Sequence, residues 1–262
     1  MKNSKIKMTT LGIVSLVFYF VYIIGVLLWS NAMNKVAYQD LSTGINYSLI
    51  NGITYGWALL SIIPMIEFMM KAFHKYYTGE EYKISILSKI LTVISLGMPI
   101  LYYGFYSFMI KDLFKSEEKL STLEIVGLVL ITLITFGSIW IMYGPTKYIY
   151  TKGLKDVFNL EKDKSTIETV SLVLASIFTL GIVWIIIPIG IASTEFISKF
   201  VARNLLGLDY KLSKFSKILL IILSVLTLGM IPLTIFLGYG FYELIVVIYN
   251  NRVVTNQEPK LT

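Results

Sequence analysis

The chain has 262 residues, 56% of them hydrophobic and 14% aromatic, with a mean hydropathy of +0.73 and a formal net charge of +7. So apolar a composition excludes an ordinary soluble domain and predicts an all-α integral membrane protein. With no cysteine, disulfides, thiolate metal sites and cysteine nucleophiles are excluded as well.

About 20 apolar residues cross a hydrocarbon core of roughly 30 Å as a helix, and six such windows can be read: 9–31, 49–70, 84–110, 123–146, 167–194 and 217–250. The whole chain, 1–262, then forms a single polytopic membrane domain of about six helical segments. Window one follows Lys2, Lys5 and Lys7, and its apolar run is too long for a cleavable signal, so it reads as a retained anchor. Window two ends in Glu67, Lys71 and a collar holding the single histidine, His74. Glu67 and Lys71 are spaced for an i,i+4 pair, and His74 for an interfacial position beside lysines and aromatics.

From window two onward a unit of Thr or Ser, one apolar residue and Gly recurs, at Thr54-Tyr55-Gly56, Ser95-Leu96-Gly97, Thr135-Phe136-Gly137, Thr179-Leu180-Gly181 and Thr227-Leu228-Gly229. The units are 40–48 residues apart, and each Gly is followed within eight residues by a proline. Gly allows close backbone approach, proline removes a helix hydrogen bond, and the hydroxyl can bond a freed carbonyl. Each of these five windows is therefore expected to bend near its Gly and Pro.

Windows four and five are near copies. Ser121–Trp140 and Ser165–Trp184 share ten of twenty residues, including Thr135/Thr179, Gly137/Gly181 and Trp140/Trp184. Both open on Ser-Thr-apolar-Glu, a capping box that predicts helix starts at Ser121 and Ser165. The paired Gly137 and Gly181 predict close helix contacts, or else parts of a binding path. Windows three and six instead share a Leu-Gly-Met start and the Tyr-Gly-Phe-Tyr motif at 103–106 and 239–242.

The segment Thr135-Phe136-Gly137-Ser138-Ile139-Trp140-Ile141-Met142-Tyr143, with Lys147, Lys152 and Lys155 after it, resembles small bacterial membrane domains of unknown function that carry a Thr-x-Gly-apolar-x-x-Trp/Tyr signature. The likeness covers about 35 residues and implies a class, not an activity. What the resemblance implies for location is a bacterial cytoplasmic membrane.

Ionisable residues inside a bilayer are functional candidates because their burial is costly. Lys147 and Glu195 sit at window ends and can snorkel. Glu243, between Gly238-Tyr-Gly-Phe-Tyr and Leu-Ile-Val-Val-Ile, has no local partner and is the candidate for a functional or inter-helix role. No H-E-x-x-H, G-x-S-x-G or phosphate-loop pattern is present. A non-enzymatic protein without cofactor or metal is expected. The leading reading is an accessory or scaffold subunit, alone, as a homo-oligomer or with a membrane partner, whose basic loops face anionic lipid headgroups rather than nucleic acid. The rival is a transporter or channel for a neutral or amphiphilic solute. With a cytoplasmic N-terminus and six spans, Lys and Arg number 14 inside and 9 outside, the expected sign. The external loop 196–217, with five of them, is awkward. Re-entrant hairpins tipped by Thr-x-Gly would remove the difficulty.

Overall fold

The computed structural model describes residues 6–37, 47–160, 165–227 and 229–257. Every regular element among them is a helix: α1 (Thr10–Ala37), α2 (Tyr47–Thr78), α3 (Ile86–Ile94), α4 (Met98–Leu113), α5 (Thr122–Ile134), α6 (Ile139–Gly153), α7 (Lys155–Phe158), α8 (Thr166–Phe178), α9 (Val183–Leu206), α10 (Lys214–Leu226) and α11 (Met230–Gln257). Three stretches are long and apolar enough to cross a membrane: Thr10–Ser30, Val183–Leu205 and Met230–Val253.

Windows three to six are not single helices. Each contains a short helix, a tight turn and a second helix: α3–α4, α5–α6, α8–α9 and α10–α11. The chain turns through 113° between α3 and α4. The breaks fall at the Thr/Ser-x-Gly units and not at the prolines, for Pro145 and Pro188 lie inside α6 and α9. The first unit, Thr54-Tyr55-Gly56, makes no turn and lies within continuous α2.

The turns share one hydrogen-bond pattern. At the end of α5 the Phe136 amide donates to Leu133 O and the Gly137 amide to Thr132 O, and Thr135 Oγ1 donates to Ile131 O. This is a Schellman closure, which satisfies carbonyls left over at a helix end. The pattern recurs with Leu96 and Gly97 after α3, and with Leu180 and Gly181 after α8. The Gly229 amide bonds Ser224 O in the same way after α10. Both turn residues have positive φ, 49° at Phe136 and 77° at Gly137, 50° at Leu180 and 84° at Gly181.

That geometry corrects the expectation of close contacts at Gly137 and Gly181. A Cβ at either would meet nothing within 4 Å. The glycines are required by the left-handed backbone, which costs an L-residue roughly 1–2 kcal/mol. The tight crossings use other glycines. A Cβ on Gly104 would collide with the α5 backbone between Glu124 and Leu128, one on Gly144 would lie 2.6 Å from Glu168 O in α8, and one on Gly240 would lie 2.6 Å from Gly12 O in α1. Such contacts let α5 lie along α4, α8 along α6 and α1 along α11. The tyrosines preceding these glycines, Tyr103, Tyr143 and Tyr239, are among the most completely buried large side chains.

The two ends of each hairpin differ in chemistry. At the turn end the left-handed residues are fully out, Phe136 at 98%, Leu180 at 92% and Leu96 at 78% exposure. Exposed Ile, Leu and Val line the outer face of each short helix, such as Ile86, Ile90 and Val93 on α3. The opposite end, the foot, is packed and polar. There Phe73 and Tyr77 of α2 stack on one another, and Phe114 just after α4, Phe158 of α7 and Tyr249 of α11 meet them mostly edge to face.

Candidate functional site: capped carboxylates at the foot

Five helices that start at the foot, α1, α3, α5, α8 and α10, begin with a hydroxyl residue, and each such residue lies beside a buried carboxylate. In α5 the carboxylate is local. Ser121 donates from its amide (2.6 Å) and its hydroxyl (2.8 Å) to Glu124, three residues on, completing the predicted capping box. In α8 the Glu168 amide donates to Ser165 Oγ at 3.2 Å. Two other helices have Ser88 and Ser216 where α5 and α8 have glutamate, so the acid must come from elsewhere. Glu67 of α2 accepts the amide (3.1 Å) and hydroxyl (2.7 Å) of Ser85. Glu195 of α9 accepts those of Ser213 at 2.7 and 2.8 Å, and the Ser216 hydroxyl as well. Each accepting acid lies 18 residues before its serine.

Glu243 belongs to the same set. It accepts the amide and hydroxyl of Thr9, whose Oγ1 in turn accepts the Gly12 amide at 3.1 Å and so caps α1. Glu243 is fully buried, and α1 stands against α11 as α5 stands against α4. The acid expected to have a functional or inter-helix role thus joins the last helix to the first. A carboxylate at a helix start also opposes the positive end of the helix dipole.

Cations neutralise four of the five acids. Glu124 pairs with Lys75 at 2.8 Å, Glu168 with Lys147 at 3.3 Å, Glu195 with Lys199 at 2.8 Å, and Glu67 with Arg252. Lys147 and Lys199 also bind Asp112 and Asp156. Among the described residues no cation pairs with Glu243. Two expectations change here. Glu67 pairs across the fold with Arg252 instead of along its helix with Lys71. Lys147 and Glu195 do not snorkel, being 3% and 6% exposed: Asp112 and Glu168 converge on Lys147 from neighbouring helices, and Glu195 is held by Lys199 of its own helix and by Ser213 and Ser216 at the start of α10. His74 is buried, with Nδ1 2.6 Å from the Tyr249 hydroxyl and Nε2 3.6 Å from Glu80. Burial holds its pKa below the usual histidine value, against the attraction of Glu80. Burial likewise pushes the Tyr82 phenol up to about 12.

The remaining candidates lie at the turn end. Trp140 donates from its indole to Thr132 Oγ1 at 3.1 Å, and Trp184 to Ser176 Oγ at 2.9 Å, each bracing its turn from the following helix. Thr135 and Thr179 bond carbonyls four residues back, at 2.7 Å each. These residues, with Gly137 and Gly181, form two separate turns and do not converge on Glu243.

Two cavities open at the foot beside α9. One, of about 420 Å³, is lined by Phe196, Lys199, Phe200, Arg203, Lys211 and Lys217, among others. The second, of about 330 Å³, lies between Lys152, Lys155 and Phe215. Among the described residues no group of three or more His, Asp or Glu side chains is arranged to hold a metal. Comparison with protein families, curated proteins and solved structures gives no match.

Proposed function

We propose that the protein is a non-enzymatic scaffold or accessory subunit of the cytoplasmic membrane. In it α1 crosses the bilayer and the 32-residue α2 returns across it. The four short-helix hairpins dip in from the side of the N-terminus, the span-length apolar stretches of α9 and α11 running back from their turns to the foot. The exposure of Phe136, Leu180 and Leu96 carries this reading. A bulky residue in left-handed backbone costs roughly 1–2 kcal/mol, and among the described residues nothing covers these side chains. Hydrocarbon around the turns accounts for their apolar character. A 13-residue helix such as α5 rises about 20 Å, short of the roughly 30 Å core, so the turn sits beyond the midplane without emerging. Its backbone polar groups are met within the hairpin by the Schellman bonds, as an embedded turn requires.

Topology supports the same arrangement. With hairpins instead of spans, every Lys and Arg except Lys35 lies on the side of the N-terminus. The awkward loop 196–217 becomes internal, and the charge bias is far stronger than six spans allow. The capped carboxylates and their cations then form a rigid polar floor at the headgroup level, and the exposed apolar faces of α3, α5, α8 and α10 meet lipid or a partner helix.

Sidedness decides the point, and the cysteine-free chain makes the experiment clean. Single cysteines at Thr78, Asn159 and Leu208 are expected to label from the side of the N-terminus, and one at Asp40 from the opposite side. Labelling of position 208 together with 40 would restore six spans and overturn the hairpins.

A further inference from the structure

We propose that the 420 Å³ cavity at the end of α9 is a binding site for the phosphate headgroup of an anionic phospholipid, whose acyl chain lies along α10. The proposal rests on the hairpin reading, which puts this cavity at the membrane surface.

The cations are the first argument. Lys199 is already committed, to Asp156 and Glu195. Arg203 from the last turn of α9, Lys211 from the connecting loop and Lys217 from the first turn of α10 also line the cavity. All three are exposed, and among the described residues none is in an ion pair. Asp209 is the one acid in the lining, so against three uncommitted cations the cavity keeps an excess of positive charge. Like charges held around one concavity focus a positive potential that an anion relieves.

The second argument is continuity with apolar surface. Phe196 and Phe200 stack at 5.4 Å in the lining, and Tyr239 meets Phe200 edge-on at 5.0 Å. Beside Lys217, which lines this cavity, α10 carries Ile218, Ile221 and Val225 exposed along its length toward the turn. A phosphate among the three cations with a chain along this stripe uses both surfaces. An inorganic phosphate or a nucleic-acid backbone would use only the first.

The test is thermal unfolding of the detergent-purified full chain, titrated separately with phosphatidylglycerol, phosphatidylcholine and inorganic phosphate. Phosphatidylglycerol should raise the melting temperature in a concentration-dependent way, while the other two should not. The triple variant Arg203→Gln, Lys211→Gln, Lys217→Gln should weaken the apparent affinity roughly a hundredfold, given the attraction of each basic residue to an anionic surface. Lys83→Gln, Lys89→Gln, Lys214→Gln removes the same charge from exposed foot positions outside the cavity and should leave the affinity within about twofold. Equal losses in both variants would mean diffuse attraction and overturn the site. An equal response to inorganic phosphate would overturn the lipid, as would no response of the parent protein to phosphatidylglycerol. None of these results touches the cysteine labelling, so a failure of the site and a failure of the hairpin topology are told apart.

Discussion

At Gly137 and Gly181 the missing side chain would have touched nothing; what the backbone uses is the sign of φ. Replacement by Ala or by Leu is therefore expected to cost a similar amount, about 1–2 kcal/mol per site, and the two copies should behave alike in thermal melts. Gly144 is the opposite case, because its Cβ would strike the backbone of α8. Gly144→Leu should lose more than Gly144→Ala, and Ala itself about 1–3 kcal/mol. A Leu at position 137 that cost several kcal/mol more than Ala would return the packing explanation. At Lys147, buried between Asp112 and Glu168, replacement by Met leaves carboxylates facing one another without their cation and should cost about 3–5 kcal/mol. Lys147→Met combined with Glu168→Gln should lose less than Lys147→Met alone. The sign for His74 follows from its lowered pKa. Its neutral form is the one the fold holds, so stability is full above about 6.5 and declines as the ring is forced to charge at lower pH. Melts between pH 8 and 5 should show that decline, and His74→Gln should flatten it.

Among the elements, the hairpins were half legible. The Thr/Ser-x-Gly units marked the right positions, and Ser121 and Ser165 marked true helix starts, since capping and C-terminal glycine are local chemistry that sequence spacing carries directly. What the spacing could not separate was a kinked span from two helices, because a helix before and a helix after the turn are equally apolar. A proline within eight residues is equally compatible with a kink. The same Thr-x-Gly text at 54–56 stays helical in α2, so context beyond the unit decides whether the chain turns. Pairings such as Glu195 with Ser213 or Glu67 with Arg252 were hidden because they join residues on separate helices, and the regular 18-residue offset appears only once the caps are known. If the turns are embedded, Trp184, 53% exposed beside the second turn, should be quenched more by lipids brominated deep in the acyl chain than by lipids brominated near the headgroup. A variant keeping Trp184 as its lone tryptophan reads this. Phe136→Asp, which puts a charge where we place the hydrocarbon, should lower membrane-inserted yield, with a penalty of about 2.5–3.5 kcal/mol.

For the molecule as a whole, the important contact is between its two ends. Thr9 is held by Glu243, the Ser15 hydroxyl donates to Phe236 O, and the Gly240 amide donates to the same hydroxyl at 2.9 Å. In α6 and α8 the same arrangement joins Ser171, the Trp140 carbonyl and the Gly144 amide. The first helix of the chain thus occupies, against the last, the position that a short helix occupies against the long helix before it. Ile6 and Asn251 are bonded in both directions, at 2.8 and 3.0 Å. The order of packing is therefore a closed cycle written on an open chain, and where that cycle is cut is a matter of connectivity and not of contacts. A circular permutant with the present termini joined by a flexible linker and new ones opened near Asp163 is expected to keep the packing of every helix pair and to melt close to the parent protein.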